Sequence, residues 1–106
     1  MITATIFRAL ADPTRLAIYE CVAVQELSVS ELTEQFEVSQ PAISQHLSAL
    51  KNCGLVAHRR DGKRIFYRAD PKGVQPVIDW LSHYRGFWNS RLPRLESLLK
   101  GLRDDR

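Results

Sequence analysis

The sequence predicts a mainly α-helical single domain, spanning residues 1–106, with one small β-hairpin. Three observations carry this. Helix-start signals recur along the first two thirds of the chain: Asp12-Pro13, Ser28 with Glu31, Ser39 with Pro41, and Asp70-Pro71. Asp61-Gly62 separates two strand-like runs, Leu55 to Arg60 and Lys63 to Ala69. An apolar stripe at helical spacing then runs on to Leu102. About five helices are expected.

Composition sets the limits. Charged residues make up 25% of the chain and apolar residues 44%, an ordinary globular balance rather than a disordered one. No apolar run is long enough to span a bilayer, and Arg8 and Asp12 interrupt the apolar start, against a signal peptide. Two distant cysteines make no disulfide framework, so a reducing cytoplasm is the expected setting. The net charge of +3 is modest, but it is segregated. Five acids and no Lys or Arg lie between Glu20 and Glu37, whereas Lys51 to Arg68 holds six bases and only Asp61 as an acid. Segregated charge offers a polyanion a local field.

Taken in order, Ile2, Ile6, Phe7 and Leu10 give a first short helix. Asp12 caps the next and Pro13 is preorganised for its first position. That helix, to about Val24, is expected to turn Leu16, Tyr19 and Val22 or Ala23 inward. Arg15 in its first turn opposes the helix dipole and should meet a carboxylate elsewhere or a phosphate. Gln25 to Leu27 reads as a connector with a brief strand. Ser28 and Glu31 match a capping box for a helix burying Val29, Leu32 and Phe36. Ser39 caps the following helix, whose apolar face is Ile43, Leu47 and Leu50. Two short helices joined by a few residues have helix-turn-helix spacing.

The outer face of the second of these helices carries Gln40, Ser44, Gln45, Ser48 and Lys51, and no acid occurs from Ser39 to Val56. A helix lying beside phosphates avoids acids, and Gln and Ser can bond base edges. Gly54 should end the helix as a C′ residue. The hairpin with an Asp61-Gly62 turn would set Arg60 opposite Lys63 and Arg59 opposite Arg64, four cations at one tip. Deeper in the hairpin, Val56, Ile65 and Tyr67 share one face and can pack on the helices. The whole reads as a winged helix-turn-helix: helix-turn-helix about 29–53, wing 55–69, and a long last helix about 74–101. Val77, Ile78, Leu81, Tyr84, Trp88, Leu92, Leu95, Leu99 and Leu102 hold the period over about 40 Å, too long for this core to cover. Trp80 and Phe87 widen the arc. A second copy is expected to share it with the first helix. Pro93 should kink or split this helix, and the tail after Gly101 should fray.

Phe7 through Leu16, Ser39 through Leu47, and Leu50 through Val56 together resemble the ArsR-type (arsenical-resistance repressor) regulators, over about Thr3 to Leu92. The resemblance implies a non-enzymatic homodimeric repressor of an inverted-repeat operator in double-stranded DNA. It places Gln40, Ser44 and Gln45 at base edges, and Ser39, His46, Ser48 and Lys51 at phosphates or edges. Arg59, Arg60, Lys63 and Arg64 form the wing. The implied dimer face joins Ile2 and Ile6 to Leu81, Tyr84, Phe87, Trp88, Leu92 and Leu95. Many members sense metal through a Cys-Val-Cys where this chain has Ser28-Val29-Ser30, and hydroxyls are poor ligands for soft metals. Asp79 and His83 are too few for a closed site. No metal or cofactor is therefore expected, and no inducer is specified. Cys21 and Cys53 fall at apolar positions, where inert thiols are the default. Two other readings are an interaction module recruiting a protein through the aromatic last helix, and a thiol redox regulator.

Overall fold

The computed structural model describes residues 2–104, and side chains through residue 102. The chain folds as α1 (Ile2–Leu10), α2 (Pro13–Val24), β1 (Leu27–Ser28), α3 (Val29–Gln35), α4 (Gln40–Asn52), β2 (Val56–Asp61) and β3 (Arg64–Ala69). A 3-10 turn (Pro71–Val74), α5 (Gln75–His83) and α6 (Arg85–Asp104) follow. This is the expected class, a mainly helical winged helix-turn-helix, with six α-helices among the described residues rather than about five.

Local chemistry sets the boundaries. The Asp12 carboxylate accepts from the Arg15 amide at 2.9 Å, and Pro13 opens α2. The capping box at α3 is complete: the Glu31 amide donates to Ser28 Oγ at 3.1 Å, and the Ser28 amide to Glu31 Oε1 at 2.9 Å. Ser39 Oγ accepts from the Ala42 amide to start α4. Gly54, with φ +81°, ends α4 in the left-handed region. Its amide bonds Lys51 O and the Leu55 amide bonds Leu50 O, the paired closure that satisfies the last carbonyls.

The core gathers Ile18 and Val22 from α2, Leu32 from α3, Ile43, Leu47 and Leu50 from α4, and Leu55 and Val56 at the wing's root. On α2 the inward residues are Ile18 and Val22, with Tyr19 partly buried; Leu16 is turned outward, because Ile18 and Val22 lie one turn apart over α4. Ile6 is also fully buried in this core. It therefore has no surface to offer a second copy, which corrects its expected place at a dimer face. Ile2 and Phe7 are the exposed apolar residues of α1.

The wing differs in register from expectation. β1, β3 and β2 form a three-stranded antiparallel sheet in that order, so the connector before α3 joins the hairpin. Asp61 pairs with Arg64, Arg60 with Ile65 and Arg59 with Phe66. The two-residue turn is thus Gly62-Lys63, not Asp61-Gly62. Gly62 has φ +64°, and no non-glycine residue among those described has positive φ. That fits a turn needing the left-handed region only at its first central position, whereas Asp61-Gly62 would force Asp61 there as well. The expected facing cations are replaced by Asp61 opposite Arg64 in register, while Asp61 lies 3.9 Å from Arg59. The shift is by two residues, so the faces are kept, and Val56 and Tyr67 still lie against the core.

The last helix also divides differently. It breaks at Tyr84, whose amide turns back to the Leu81 and Ser82 carbonyls, and not at Pro93. Pro93 lies inside α6, where only its own missing donor is lost along an exposed helix. The helix continues past Gly101 to Asp104; residues 105 and 106 lie outside the described residues. None of the side chains described on α6 is buried. The Cα radius of gyration is 17.6 Å, against about 13 Å for a compact chain of this length.

Candidate nucleic-acid interface

Ile43, Leu47 and Leu50 root α4 in the core, which turns the opposite face outward. Gln40, Ser44, Gln45, Ser48 and Lys51 are all exposed there, with Ser39 at the helix start. His46 is set apart from them. It is partly buried, and its Nδ1 is enclosed without a hydrogen-bond partner among the described residues. Arg15 donates through Nη1 to Ala9 O at 3.3 Å, while its Nε is enclosed without a partner among the described residues.

The wing stands beside the start of α4. A cleft of about 190 Å³ lies between them, lined by Gln40 and Ser44, by Lys63, Arg64 and Ile65, and by Ser28, Val29 and Ser30. The structure thus brings the polar helix face and two wing cations to one opening. Ser30, weighed in the sequence only as a lost thiol, is part of that wall. Its position two residues past a helix cap was the signal that could have placed it there.

The four wing cations have different surroundings. Arg59 binds Glu26 through Nε and Nη2 at 2.6–3.0 Å, with its guanidinium 4.7 Å from the Phe66 ring centroid. Arg64 donates to Ser28 Oγ at 3.1 Å, lies 3.6 Å from Glu31 and flanks the same ring at 5.0 Å. Arg60 and Lys63 are exposed, and no hydrogen bond or ion pair engages them among the described residues. Glu26 was missed from sequence, being 33 positions from Arg59.

Three carboxyls around this region sit below their ordinary values. The Arg59 hydrogen bond lowers Glu26, and the Ser28 amide and hydroxyl lower Glu31, both from 4.5. The Arg15 amide lowers Asp12 from 3.8. A depressed carboxyl stabilises the fold fully above its unfolded value and loses that contribution as pH falls through the folded one. The thermal midpoint is therefore expected to hold from neutrality to about pH 5 and to fall below about pH 4, with a shallower fall in Glu31→Gln. Calorimetry across that range checks it.

At the other end, Leu81, Tyr84, Phe87, Trp88, Leu92 and Leu95 are all exposed. Trp80, Tyr84, Phe87 and Trp88 line an apolar cleft of about 280 Å³. Phe7 of α1 meets Trp80 edge-on at 5.7 Å, which joins the two apolar helices into one surface. Cys21 and Cys53 are free, half-buried and on different bonds: Cys21 Sγ to Gln35 Oε1, Cys53 Sγ to Leu50 O. No described helix is long and apolar enough to cross a membrane.

A core-rooted polar helix next to a three-stranded basic wing defines the winged helix-turn-helix class. Residues 12–58 match the family described as bacterial regulatory proteins of the arsR family. A probable mercury resistance operon repressor of Streptomyces lividans is 48% identical over 77 residues, 72% of this chain and 62% of that protein. This chain therefore spans just under two thirds of that relative. The HTH-type transcriptional regulator Rv2034 of Mycobacterium tuberculosis is 40% identical over 99 residues, covering 93% of this chain and 90% of the other. Among solved structures, the ArsR-like transcriptional regulator from Rhodococcus sp. RHA1 is 33% identical with a TM-score of 0.72, covering 92% of both chains. The chain belongs to the ArsR family.

Proposed function

We propose that the protein is a sequence-specific transcriptional repressor that binds an inverted-repeat operator as a homodimer and does not sense metal. The observation that carries this is the exposed, acid-free face of α4 opening onto the same cleft as Lys63 and Arg64. Gln40, Ser44 and Gln45 read base edges in the major groove. Ser39, Ser48, Lys51 and the wing cations Arg60, Lys63 and Arg64 meet the backbone. Several relatives of this chain carry repressor in their names, among them the Streptomyces protein and SdpR of Bacillus subtilis, which supports the sign of regulation. Ser28 caps α3 and accepts from Arg64, which supports a structural use of that position over a metal-binding one.

The dimer reading rests on the apolar surface of α5 and α6. Leu95 and Leu99 are 52% and 53% exposed, on a helix that none of its described side chains anchors to a core. A stripe of that length needs a partner surface, and twofold association of α1, α5 and α6 supplies one. Trp88→Glu with Leu95→Glu is expected to give a folded monomer in sedimentation analysis. Loss of the second half-site should weaken operator binding on the order of 100-fold.

Sequencing the genomic fragments retained by the purified protein tests the function. An enriched inverted repeat with half-sites about 34 Å apart is expected, and no enriched sequence refutes the reading. Gln40→Ala and Ser44→Ala should each relax preference at one or two positions, by about 1–3 kcal/mol of discrimination, and leave the remaining positions unchanged.

A further inference from the structure

The wing arginines point to a division of labour that the basic tip alone does not suggest. β1 contributes only two residues to the sheet, pairing Leu27 with Tyr67 and Ser28 with Phe66. Beyond that point the wing is a two-stranded ribbon, a form of little stability by itself. Arg59 stands at this limit, on β2 opposite Phe66 of the central strand. Its guanidinium passes over the Phe66 ring and closes on Glu26, immediately before β1. The side chain therefore straps one edge of the sheet to the other. On the same ring, Arg64 reaches Ser28.

We propose that Arg59 is a positioning residue: strapped to Glu26, it fixes the pitch of the wing against α4 so that Arg60 and Lys63 meet the DNA backbone. The proposal rests on the DNA-binding reading above. A guanidinium held by a carboxylate through two nitrogens forms a neutral pair and adds little to the attraction for a polyanion. To reach a phosphate it must give up those bonds and leave Glu26 bare beside the DNA. Arg60 and Lys63 face neither cost. The Arg59 contact also holds the Glu26 carboxyl below its ordinary range.

Removing an acid from a DNA-binding surface ordinarily tightens binding, so Glu26→Gln separates the two roles by sign. If Arg59 positions the wing, Glu26→Gln weakens binding to the selected operator by roughly fivefold, the scale of a well-oriented exposed pair. Arg59→Met does the same without flattening the salt dependence, whereas Arg60→Met flattens it by about 2 in slope per dimer. Exchanging the two, Glu26→Arg with Arg59→Glu, restores affinity to within about twofold, as a re-formed pair requires. Tighter binding by Glu26→Gln, a flatter slope for Arg59→Met, or no rescue by the exchange overturns the proposal. Hydrogen exchange on the free protein reads the strap without DNA. Wing amides from Arg60 to Ile65 are expected to exchange faster in Glu26→Gln while core amides keep their protection, and unchanged wing exchange overturns the strap. Failure of the unaltered protein to select any DNA would instead strike the DNA-binding reading.

Discussion

Arg60→Glu combined with Arg64→Glu is expected to abolish operator binding while leaving a folded dimer. Both side chains are exposed, and neither belongs to the buried core. The double reversal changes the charge by four at each protomer's wing, where Arg64 lines the same opening as Gln40 and Ser44 and Arg60 stands exposed on β2. Taking a cation away from a phosphate lowers both the affinity and its salt dependence, and an introduced carboxylate repels the backbone besides. With two cations reversed on each of two wings, affinity should fall on the order of 10³-fold or more at moderate salt. Arg64→Glu also removes the bond to Ser28 and faces Glu31, so thermal unfolding should be followed in parallel. Unchanged affinity in a gel-shift titration would remove the wing from the interface.

Gly73→Ala is expected to be strongly destabilising, although it adds one methyl group. A Cβ at Gly73 would stand 1.9 Å from the carbonyl oxygen of Gly54, 2.6 Å from its carbon and 2.9 Å from the Leu55 Cα. All three are backbone atoms, so no side chain can swing aside. The turn from Pro71 to Val74 is pressed against the segment that closes α4, and the Asp70 amide bonds Leu55 O at 2.9 Å in the same place. Relief requires either unseating α5 or distorting the left-handed turn at Gly54. The cost should be about 3 kcal/mol, at the upper end for overpacking, read from the urea midpoint with an unchanged slope. A midpoint within experimental error of the unaltered protein would mean that the two segments are not held in contact.

The elements legible in the sequence are those set by neighbours in the chain. Asp12 with Pro13, Ser28 with Glu31, and Gly54 each act within four residues, and each does in the structure what its chemistry requires. The polar face of α4 was legible too, because the period of the helix fixes which residues oppose Ile43 and Leu47. What failed involved choices between nearby alternatives. Asp-Gly suits a turn with two left-handed residues, but Gly-Lys needs only one, and Gly62 alone supplies it. Ile2 and Ile6 share a face of α1, yet one is 68% exposed and the other fully buried, a distinction set by where α1 ends and not by periodicity. The partnership of Arg59 with Glu26 depends on the strand order β1-β3-β2, which places residues 33 apart on opposite edges of one sheet. The break at Tyr84 left no mark as strong as Pro93, which α6 carries without interruption.

The unanchored α6 has a consequence for dosage. If its apolar surface is covered only by a second copy, assembly and reading of the operator are governed by the same concentration. Below the dissociation constant of the pair, the concentration of competent dimer grows as the square of the number of chains. A twofold change in synthesis would then become a fourfold change in occupancy at a weakly filled site. Such a circuit is steep without any small molecule to switch it, and its threshold is set by how strongly the exposed stripe of Leu92, Leu95 and Leu99 associates between copies. Mutations along that stripe would shift the gene-dose response while leaving the base preference of α4 intact.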